Sequence, residues 1–205
     1  MKKTELLIYC RNVGSFAVNT YVVACPETKK GVIIDPGGED EKIIRVIDKN
    51  HIIPQYIINT HGHRDHIDGN ASLSRHFNIP VAMHVDDKLF YRKKALFIDI
   101  DLHHGDVLIV GTLEIKVIHT PGHTPGSICL YIGNCLFSGD TLFVGNAGRT
   151  DLPGGDLSLL IRSIRERIIP LPPETILYPG HDYGITPLST IGREIKENIY
   201  ITDFM

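Results

Sequence analysis

Hydrophobic and polar positions alternate in short segments along most of this chain. Val, Ile and Tyr recur in segments bounded by Gly, Pro, Asn or Asp, a pattern that predicts β-strands. Longer stretches carry apolar residues three and four positions apart among charges, which predicts amphipathic helices. The predicted strands are residues 5–10, 16–24, 31–35, 56–59, 81–84, 107–110, 113–119, 127–132, 135–138 and 175–178, and the predicted helices are residues 39–50, 69–77, 86–96, 157–168 and 188–199.

The order of these elements predicts a layered α/β protein, because strands outnumber helices and helices separate the groups of strands. At 205 residues the chain is most simply one domain, residues 1–205, and it is long enough to bury a hydrophobic core. It contains no low-complexity segment and no evident short repeat.

Composition and charge exclude several classes of protein. The chain is 42% hydrophobic and 22% charged, which is ordinary for a soluble protein, and its formal charge of -3 predicts no nucleic-acid partner. Glu5 and Arg11 interrupt the first apolar stretch, so we expect neither a secretory signal nor a membrane span. The four cysteines form no CxxC pair, which favours a cytoplasmic protein with reduced thiols and leaves a Cys10–Cys25 disulfide open.

The densest chemistry lies in the run 60–66, Thr-His-Gly-His-Arg-Asp-His, which holds three imidazoles and a carboxylate. Such density does not suit a core, because each buried polar side chain needs its own partner. The run follows a predicted strand and therefore lies on a loop. Residues two apart in an extended chain point the same way, so we expect His61 and His63 to bind one cation. After a bend, Asp65 and His66 can reach a second cation.

Three more candidate ligands follow other predicted strands. His123 lies in a loop rich in Gly and Pro, and Asp140 and His181 each follow a strand almost directly. Loops held at strand ends commonly carry binding and catalytic residues. Each of these residues alone is more often a turn or surface residue, but together with the histidine run they predict a metal site.

The motifs THGHRDH, PGHT, SGD and PGH, in this order, resemble those of the metallo-β-lactamase-fold hydrolases over essentially the whole chain. The resemblance implies an α/β fold, a four-layer αββα sandwich with the metal site at one edge of the two sheets. It also implies two divalent metal ions. Zinc is the expected metal, and iron or manganese are the alternatives. Carried over by position, His61, His63 and His123 bind the first ion, Asp65, His66 and His181 bind the second, and Asp140 bridges both.

Within this superfamily the chain most resembles the glyoxalase II group, the hydroxyacylglutathione hydrolases, in a short form without their C-terminal glutathione-binding extension. The supporting runs are residues 139–143, 148–151 and 190–194. The resemblance implies hydrolysis of a thioester by a hydroxide that bridges the metals, which Asp65 orients as the catalytic ligand. Tyr183 matches a position that contacts the thiol-bearing part of the substrate. Arg149 is a candidate to bind a substrate carboxylate through its fork of donors.

Elementary chemistry agrees with hydrolysis. Two divalent cations can polarise a carbonyl and lower the pKa of water, so no protein nucleophile is required. The sequence has no GxSxG motif of the serine hydrolases. A thiol has a solution pKa of about 8.5. The thiolate therefore leaves without a strong general acid, and a thioester suits the site better than an amide.

Some assignments stay open at this level. The run 148–151 also resembles that of the persulfide dioxygenases, so an oxidoreductase with one iron is the alternative function. Two histidines and a carboxylate, here His61, His123 and Asp140, can leave positions on iron open for oxygen. The expected partner is a small thioester or another thiol-derived substrate, and the sequence does not indicate an oligomeric state.

The candidate substrate contacts also have simpler interpretations. Arg149 can equally pin its own loop through Asp151 or Asp156, and Tyr183 can serve in packing alone. His119 precedes His123 by four residues and can support the site without binding a metal.

Overall fold

A computed structural model describes residues 5–90 and 98–204 of the chain. Six strands form a first sheet in the order in which they occur along the chain. Its β3–β4, β4–β5 and β5–β6 pairs are parallel, and the other two pairs are antiparallel. The strands are β1 (Leu7–Val13), β2 (Val18–Ala24), β3 (Lys30–Ile34), β4 (Ile53–Ile58), β5 (Val81–His84) and β6 (Ile100–Leu102).

The second sheet also has six strands, in the spatial order β14-β13-β10-β9-β8-β7. Its one parallel pair among the described strands is β10–β13. A small hairpin, β11 (Leu142–Phe143) and β12 (Asn146–Ala147), lies beside it. The strands of the sheet are β7 (Val107–Val110), β8 (Leu113–His119), β9 (Ile128–Ile132), β10 (Cys135–Gly139), β13 (Ile176–Pro179) and β14 (Ser189–Thr190).

The helices are short and connect or follow the strands. Across residues 5–90 and 98–204, no helix has the length and apolar character that crossing a bilayer requires. The helices are α1 (Asp40–Lys49), α2 (Arg64–Ile67), α3 (Asn70–Phe77), α4 (Val85–Phe90), α5 (Leu157–Ser163) with a π-helical continuation (Ile164–Ile168), α6 (Ile191–Glu197) and α7 (Ile199–Thr202).

Alternation along the strands divides the core into layers. In β2, Tyr21 and Val23 face the core between the two sheets, whereas Val22 faces the helices, because successive side chains point to opposite faces. Ile43 of α1 packs on the outer face of the first sheet, and Leu160 of α5 packs on the outer face of the second. The result is four layers, helix–sheet–sheet–helix, which confirms the predicted fold class.

The last predicted helix, residues 188–199, was correct for Ile191–Glu197 but wrong at its two ends. Ser189 and Thr190 instead form β14, which pairs with β13, and Thr190 then caps α6 by accepting a hydrogen bond from the Arg193 N–H. Asn198 has an extended backbone and caps α7, so the helix is broken there as well. Strand pairing with a distant segment, which local periodicity does not report, overrides the helical pattern.

Other predictions were correct in type but incomplete. The predicted helix 86–96 begins as α4, and its residues 91–96 lie outside the described residues. The short strands β6, β11 and β12 were not predicted, because two or three residues give too little alternation to recognise. All four cysteines are free thiols, so the Cys10–Cys25 disulfide is absent from the structure.

Five strands deliver their following loops to one edge of the sandwich. β3 runs parallel to β4 in the first sheet, and β8, β10 and β13 run in one direction in the second. Hydrogen bonds cross between the sheets at this edge: Ile128 N–H donates to Thr60 O at 2.8 Å, and Asn19 N–H donates to Gly180 O at 2.7 Å. Loops from both sheets are therefore held against each other where the candidate ligands lie.

Candidate metal centre

The seven predicted ligands meet at this edge. The segment after β4 contributes four of them, and the loops after β8, β10 and β13 contribute one each. Six of the seven form two groups whose donor atoms lie within 4.8 Å of one another inside each group. The first group is His61, His63 and His123, and the second is Asp65, His66 and His181; we call them the first triad and the second triad.

In the first triad, His63 Nδ1 lies 3.0 Å from His61 Nε2 and 2.9 Å from His123 Nε2. The three ring planes are nearly perpendicular to one another, at 80° to 87°. Perpendicular rings can point one nitrogen each toward a common centre without clashing. A tetrahedral zinc ion with Zn–N bonds of about 2.0–2.1 Å needs ligand nitrogens separated by roughly 3.3 Å, so little movement would be required to hold one.

The second triad faces the same space from the other side. His66 Nε2 and His181 Nε2 are 3.2 Å apart, and Asp65 Oδ2 lies 3.5 Å from His181 Nε2. The Asp140 carboxylate lies between the triads: Oδ1 is 3.4 Å from His66 Nε2, and Oδ2 is 3.6 Å from both His123 Nε2 and His181 Nε2. Asp140 is thus placed to share its two oxygens between two ions.

Three of the imidazoles have an oxygen acceptor at the nitrogen that points away from the centre. His123 Nδ1 donates to Arg149 O at 2.7 Å, His181 Nδ1 donates to Phe16 O at 3.1 Å, and His66 Nδ1 donates to an Asp35 oxygen at 2.9 Å. A carbonyl oxygen cannot donate, so these contacts assign the proton of each neutral ring to Nδ1. The Nε2 lone pairs then point into the centre, which is the arrangement that second-shell acceptors impose on metal-binding histidines.

The histidines of this cluster differ in the direction in which their pKa values are shifted. Burial, together with the neighbouring His66 and His123, holds the pKa of His61 well below its usual range, and burial beside His123 lowers the pKa of His63 to about 4. Burial also acts to lower the pKa of His66, but Asp140 and Asp35 outweigh it and raise that pKa to about 9. His61 and His63 therefore resist protonation, while Asp140 and Asp35 favour a positive charge at His66. A metal cation meets both conditions, because it binds neutral imidazoles and supplies the positive charge beside the carboxylates.

Asp140 supplies a direct test of fit. Its Oδ1 is buried and has no hydrogen-bond partner among the described residues. A buried carboxylate oxygen without a partner carries a large desolvation penalty. This oxygen faces His66 of the second triad, and the other oxygen of the same carboxylate faces His123 of the first. Cations at the centre would remove the penalty, and the residues present fit a pair of divalent ions.

Asp35 is a site residue that sequence reasoning missed. It is buried at the end of β3, where Oδ1 accepts from Thr60 N–H at 2.7 Å and Oδ2 accepts from the Thr60 hydroxyl at 2.6 Å. With His66 as a third donor, its oxygens are already engaged, so it supports ligands rather than binding metal. The Thr60 hydroxyl lies 3.1 Å from His61 Nδ1, so one carboxylate orients ligands of both triads. Its position directly after a parallel strand was the available signal.

The structure explains why the motifs SGD and PGH have glycine at their second position, residues 139 and 180. Gly139 has a φ of +50° and lies against Thr60, so a Cβ there would be both strained and obstructed. A Cβ on Gly180 would overlap the Asp140 carboxylate. Both glycines therefore let backbone from the second sheet approach the ligands closely.

The structure places the two predicted substrate contacts differently from the ligands. Arg149 is exposed, and both oxygens of Asp151 accept from its guanidinium at 2.6 and 2.7 Å, so its side chain pins its own loop while its carbonyl oxygen supports His123. The ring of Tyr183 is 61% exposed and stacks on His181, with centroids 5.0 Å apart and planes at 4°. Tyr183 thus borders the second triad, and substrate binding by either residue stays a prediction.

A further group, His84, Asp86 and His119, has donor atoms close together but not arranged for one ion. The rings of His84 and His119 stack in parallel, with centroids 3.8 Å apart and planes at 14°. Imidazole lone pairs lie in the ring plane, so parallel rings at this spacing cannot both point at one cation. His119 Nε2 also donates to Pro125 O at 2.8 Å, in the loop that carries His123, so His119 supports that loop as the sequence suggested.

Known proteins are similar to this chain over most of its length. GloC of Haemophilus influenzae, named a hydroxyacylglutathione hydrolase, is 32% identical over 192 residues, 85% of this chain and 89% of GloC. The crystal structure of the BLEG-1 B3 metallo-beta-lactamase is 37% identical with a TM-score of 0.85, covering 96% of this chain and 100% of that one. The structure of ETHE1 from Myxococcus xanthus is 30% identical with a TM-score of 0.85, covering 94% and 83%.

The family model of the metallo-beta-lactamase superfamily matches residues 13–181. This span starts in β1, ends on the last ligand of the second triad, and contains all seven residues of the centre. The four layers and the convergence of ligands from both sheets agree with the match. The chain belongs to the metallo-beta-lactamase superfamily.

Proposed function

We propose that this protein is a metal-dependent hydrolase that cleaves a thioester, with the seven residues of the centre binding two divalent cations. The observation that carries the proposal is the convergence of both triads on the Asp140 carboxylate, whose buried Oδ1 has no hydrogen-bond partner among the described residues. Two ligand sets joined by one carboxylate support two ions rather than one. The similarity to GloC supports a thioester as the substrate.

Divalent cations held by the two triads would polarise the thioester carbonyl and activate water at a pH near 7. The chain supplies the rest. Asp65 is a quarter exposed, and its Oδ2 faces His181, so it can accept a hydrogen bond from the attacking water and orient it. Tyr183 and Phe143 pack edge to face beside His181 and form an apolar wall against which a substrate can lie.

The substrate proposal is confined to the thioester itself. The Arg149 guanidinium is engaged by Asp151, so it is not preorganised for a carboxylate of glutathione. We therefore expect only a weak preference for the glutathione moiety. The comparison of S-lactoylglutathione with the same acyl group on a smaller thiol measures this preference, and a very large loss of kcat/KM on the smaller thiol would contradict it.

A mono-iron persulfide dioxygenase is the second candidate function. Two observations favour it: the similarity to ETHE1, and the proximity of His123 Nε2 to Asp140 Oδ2, which with His61 makes a set of two histidines and one carboxylate. The second triad argues against it, because a single iron leaves Asp65, His66 and His181 without a cation to bind.

The deciding experiment compares metal forms of the protein. Zinc cannot change oxidation state, so protein loaded with zinc alone and kept anaerobic should still cleave S-lactoylglutathione, with a rate that rises with pH up to about 7. The iron-loaded protein is tested in parallel with glutathione persulfide in an oxygen electrode. A chromogenic β-lactam is the third substrate, because BLEG-1 is a metallo-beta-lactamase.

Each arm has a decisive result. Thioester cleavage by the zinc form without oxygen supports the hydrolase. Rapid oxygen uptake by the iron form, with no thioester cleavage by the zinc form, would overturn it in favour of the dioxygenase. Turnover of the β-lactam alone would retain a metallo-hydrolase but remove the thioester from the proposal.

A further inference from the structure

Asp87 is a fully buried carboxylate outside both triads. It lies on α4, directly after β5, and none of its side-chain surface is exposed. Its Oδ2 accepts from Gly62 N–H at 2.7 Å and from the Thr124 hydroxyl at 2.9 Å, and its Oδ1 accepts from Gly126 N–H at 2.6 Å. A buried charge of this kind needs such partners, and every one of them comes from a ligand-bearing loop.

The donors to Asp87 lie beside ligands of the first triad in the sequence. Gly62 lies between His61 and His63, and Thr124 follows His123. One carboxylate thus bonds to the loops that carry all three members of the first triad, and these loops belong to different sheets. A Cβ on Gly126 would overlap the Asp87 backbone, so that loop is seated directly on α4.

The remaining contacts show how the spacing is determined. Between the same two loops, Ile128 N–H donates to Thr60 O on the β-strand side of the ligands. Asp87 joins the same loops a second time, through Gly62, Thr124 and Gly126. Ser127 Oγ lies 2.7 Å from Thr124 Oγ1 and orients the hydroxyl that Asp87 accepts from. In the second triad, His66 and His181 are held by other partners, Asp35 and the carbonyl oxygen of Phe16 respectively.

We propose that Asp87 is a positioning residue that holds the two loops at the separation at which His61, His63 and His123 share one cation. This inference rests on the proposed metal centre. It adds that Asp87 supports the binding of only one of the two ions, the one in the first triad. Removal of the carboxylate should weaken the ion in the first triad and spare the ion in the second, which a general loss of stability would not do.

The test uses Asp87→Asn, which keeps the volume but turns one acceptor into a donor that faces a backbone N–H. Zinc affinity is measured by competition with a chromophoric chelator, and anomalous diffraction at the zinc edge at limiting zinc shows which triad is occupied. Loss of an outer partner typically costs about 10–100-fold in metal affinity. We expect a fall of this size for the first triad and a change of less than about threefold for the second.

Two comparisons make the result specific. Asp101→Asn removes the surface ion pair with Lys88 that also ties α4 to the sheet, and it should leave both affinities unchanged. Thr124→Val removes one donor to Asp87 at nearly constant volume, and Thr124→Ser restores the hydroxyl. The valine variant should weaken the first-triad ion, and the serine variant should recover it, even if Asp87→Asn does not fold.

The outcomes separate this inference from the proposed function. Equal loss of both ions in Asp87→Asn, or unchanged affinity in Thr124→Val, would overturn the positioning role. Wild-type protein that binds two zinc ions but cleaves no thioester would overturn the proposed hydrolase and leave the positioning role standing, because its readout is metal affinity.

Discussion

Asp140 directs one oxygen toward His66 of the second triad and the other toward His123 of the first. Around it, His66, His123 and His181 each present Nε2 inward and donate Nδ1–H to an oxygen. This division of roles is a property of single side chains and their nearest neighbours. Predictions at this scale therefore concern individual ligands and the ion that each one serves.

Substitution of the shared carboxylate should affect both ions. Asp140→Asn keeps the shape but removes the negative charge and one acceptor, so we expect zinc affinity to fall at both triads by more than the about 10–100-fold that loss of an outer partner costs, and thioester hydrolysis to fall with it. Zinc competition titration and steady-state kinetics measure the two effects. Asp182→Asn, which changes an exposed carboxylate next to His181, is the matched control. Full zinc binding and normal turnover in Asp140→Asn would remove Asp140 from the centre.

Ligands of different triads should serve different ions. His61→Ala should empty the position next to His63 and His123, whereas His181→Ala should empty the position next to Asp65 and His66, since the loops approach from opposite sides. Anomalous diffraction at the zinc edge on crystals of each variant locates the remaining ion. If both variants lose the same single peak, the division into two triads is wrong.

At the scale of elements, the ends of β5 and β8 meet through stacked histidines. His84 closes β5 in the first sheet and stacks on His119, which closes β8 in the second. Burial, and then the neighbouring His119, lowers the pKa of His84 to about 4, with Asp86 opposing and His103 adding to the shift. The folded protein thus keeps His84 neutral over a range of pH in which an unfolded histidine binds a proton.

The lowered pKa of His84 predicts how the free energy of unfolding changes with pH. Below pH 6.5 the unfolded state gains protons that folded His84 does not bind, so the free energy of unfolding should fall from about pH 6.5 down to about pH 4. His84→Phe keeps an aromatic ring in the stack without a titrating group and should make this decline less steep; the remaining slope comes from groups such as His61 and His63, whose pKa values are also lowered. Urea unfolding of chelator-treated protein at a series of pH values measures it, with His76→Gln, a change at an exposed histidine, as the control. Parallel pH profiles for His84→Phe and wild type would contradict the assignment.

At the scale of the whole molecule, the candidate centre joins the two halves of the sandwich. The first sheet supplies His61, His63, Asp65 and His66, and the second supplies His123, Asp140 and His181. Cations bound there would connect loops that are distant in sequence and belong to different sheets. Metal binding should therefore stabilise the whole fold and not only the loops.

Metal removal should lower the melting temperature. A ligand at 100 times its Kd stabilises the state it binds by about 2.7 kcal/mol, which for a chain of this size corresponds to a Tm shift of roughly 5–11 °C per site. Thermal unfolding after chelation, followed by a zinc titration, tests this, and Mg²⁺ serves as a control because it prefers oxygen ligands. A Tm that does not depend on zinc would contradict the proposed role of the centre.

Local patterns in the sequence determined a large part of this protein. Alternation of apolar residues was sufficient to locate most strands, and the spacing of His61, His63, Asp65 and His66 after β4 was sufficient to predict a shared site, because both depend on residues close in the chain. The start of the predicted helix 188–199 marks the limit of such patterns, since Ser189 and Thr190 form β14 only through pairing with β13.

Only the tertiary structure decided which side chains support the ligands. Asp35 bonds to Thr60 across 25 positions, and Asp87 bonds to Gly62, Thr124 and Gly126 across 25 to 39 positions. In the sequence, Asp87 is one of two adjacent aspartates and carries no signal that separates it from Asp86. Its burial and its partners follow from the order of strands and the direction in which their loops leave the sheets. Such contacts join residues that are far apart in the sequence, so local composition and spacing cannot predict them.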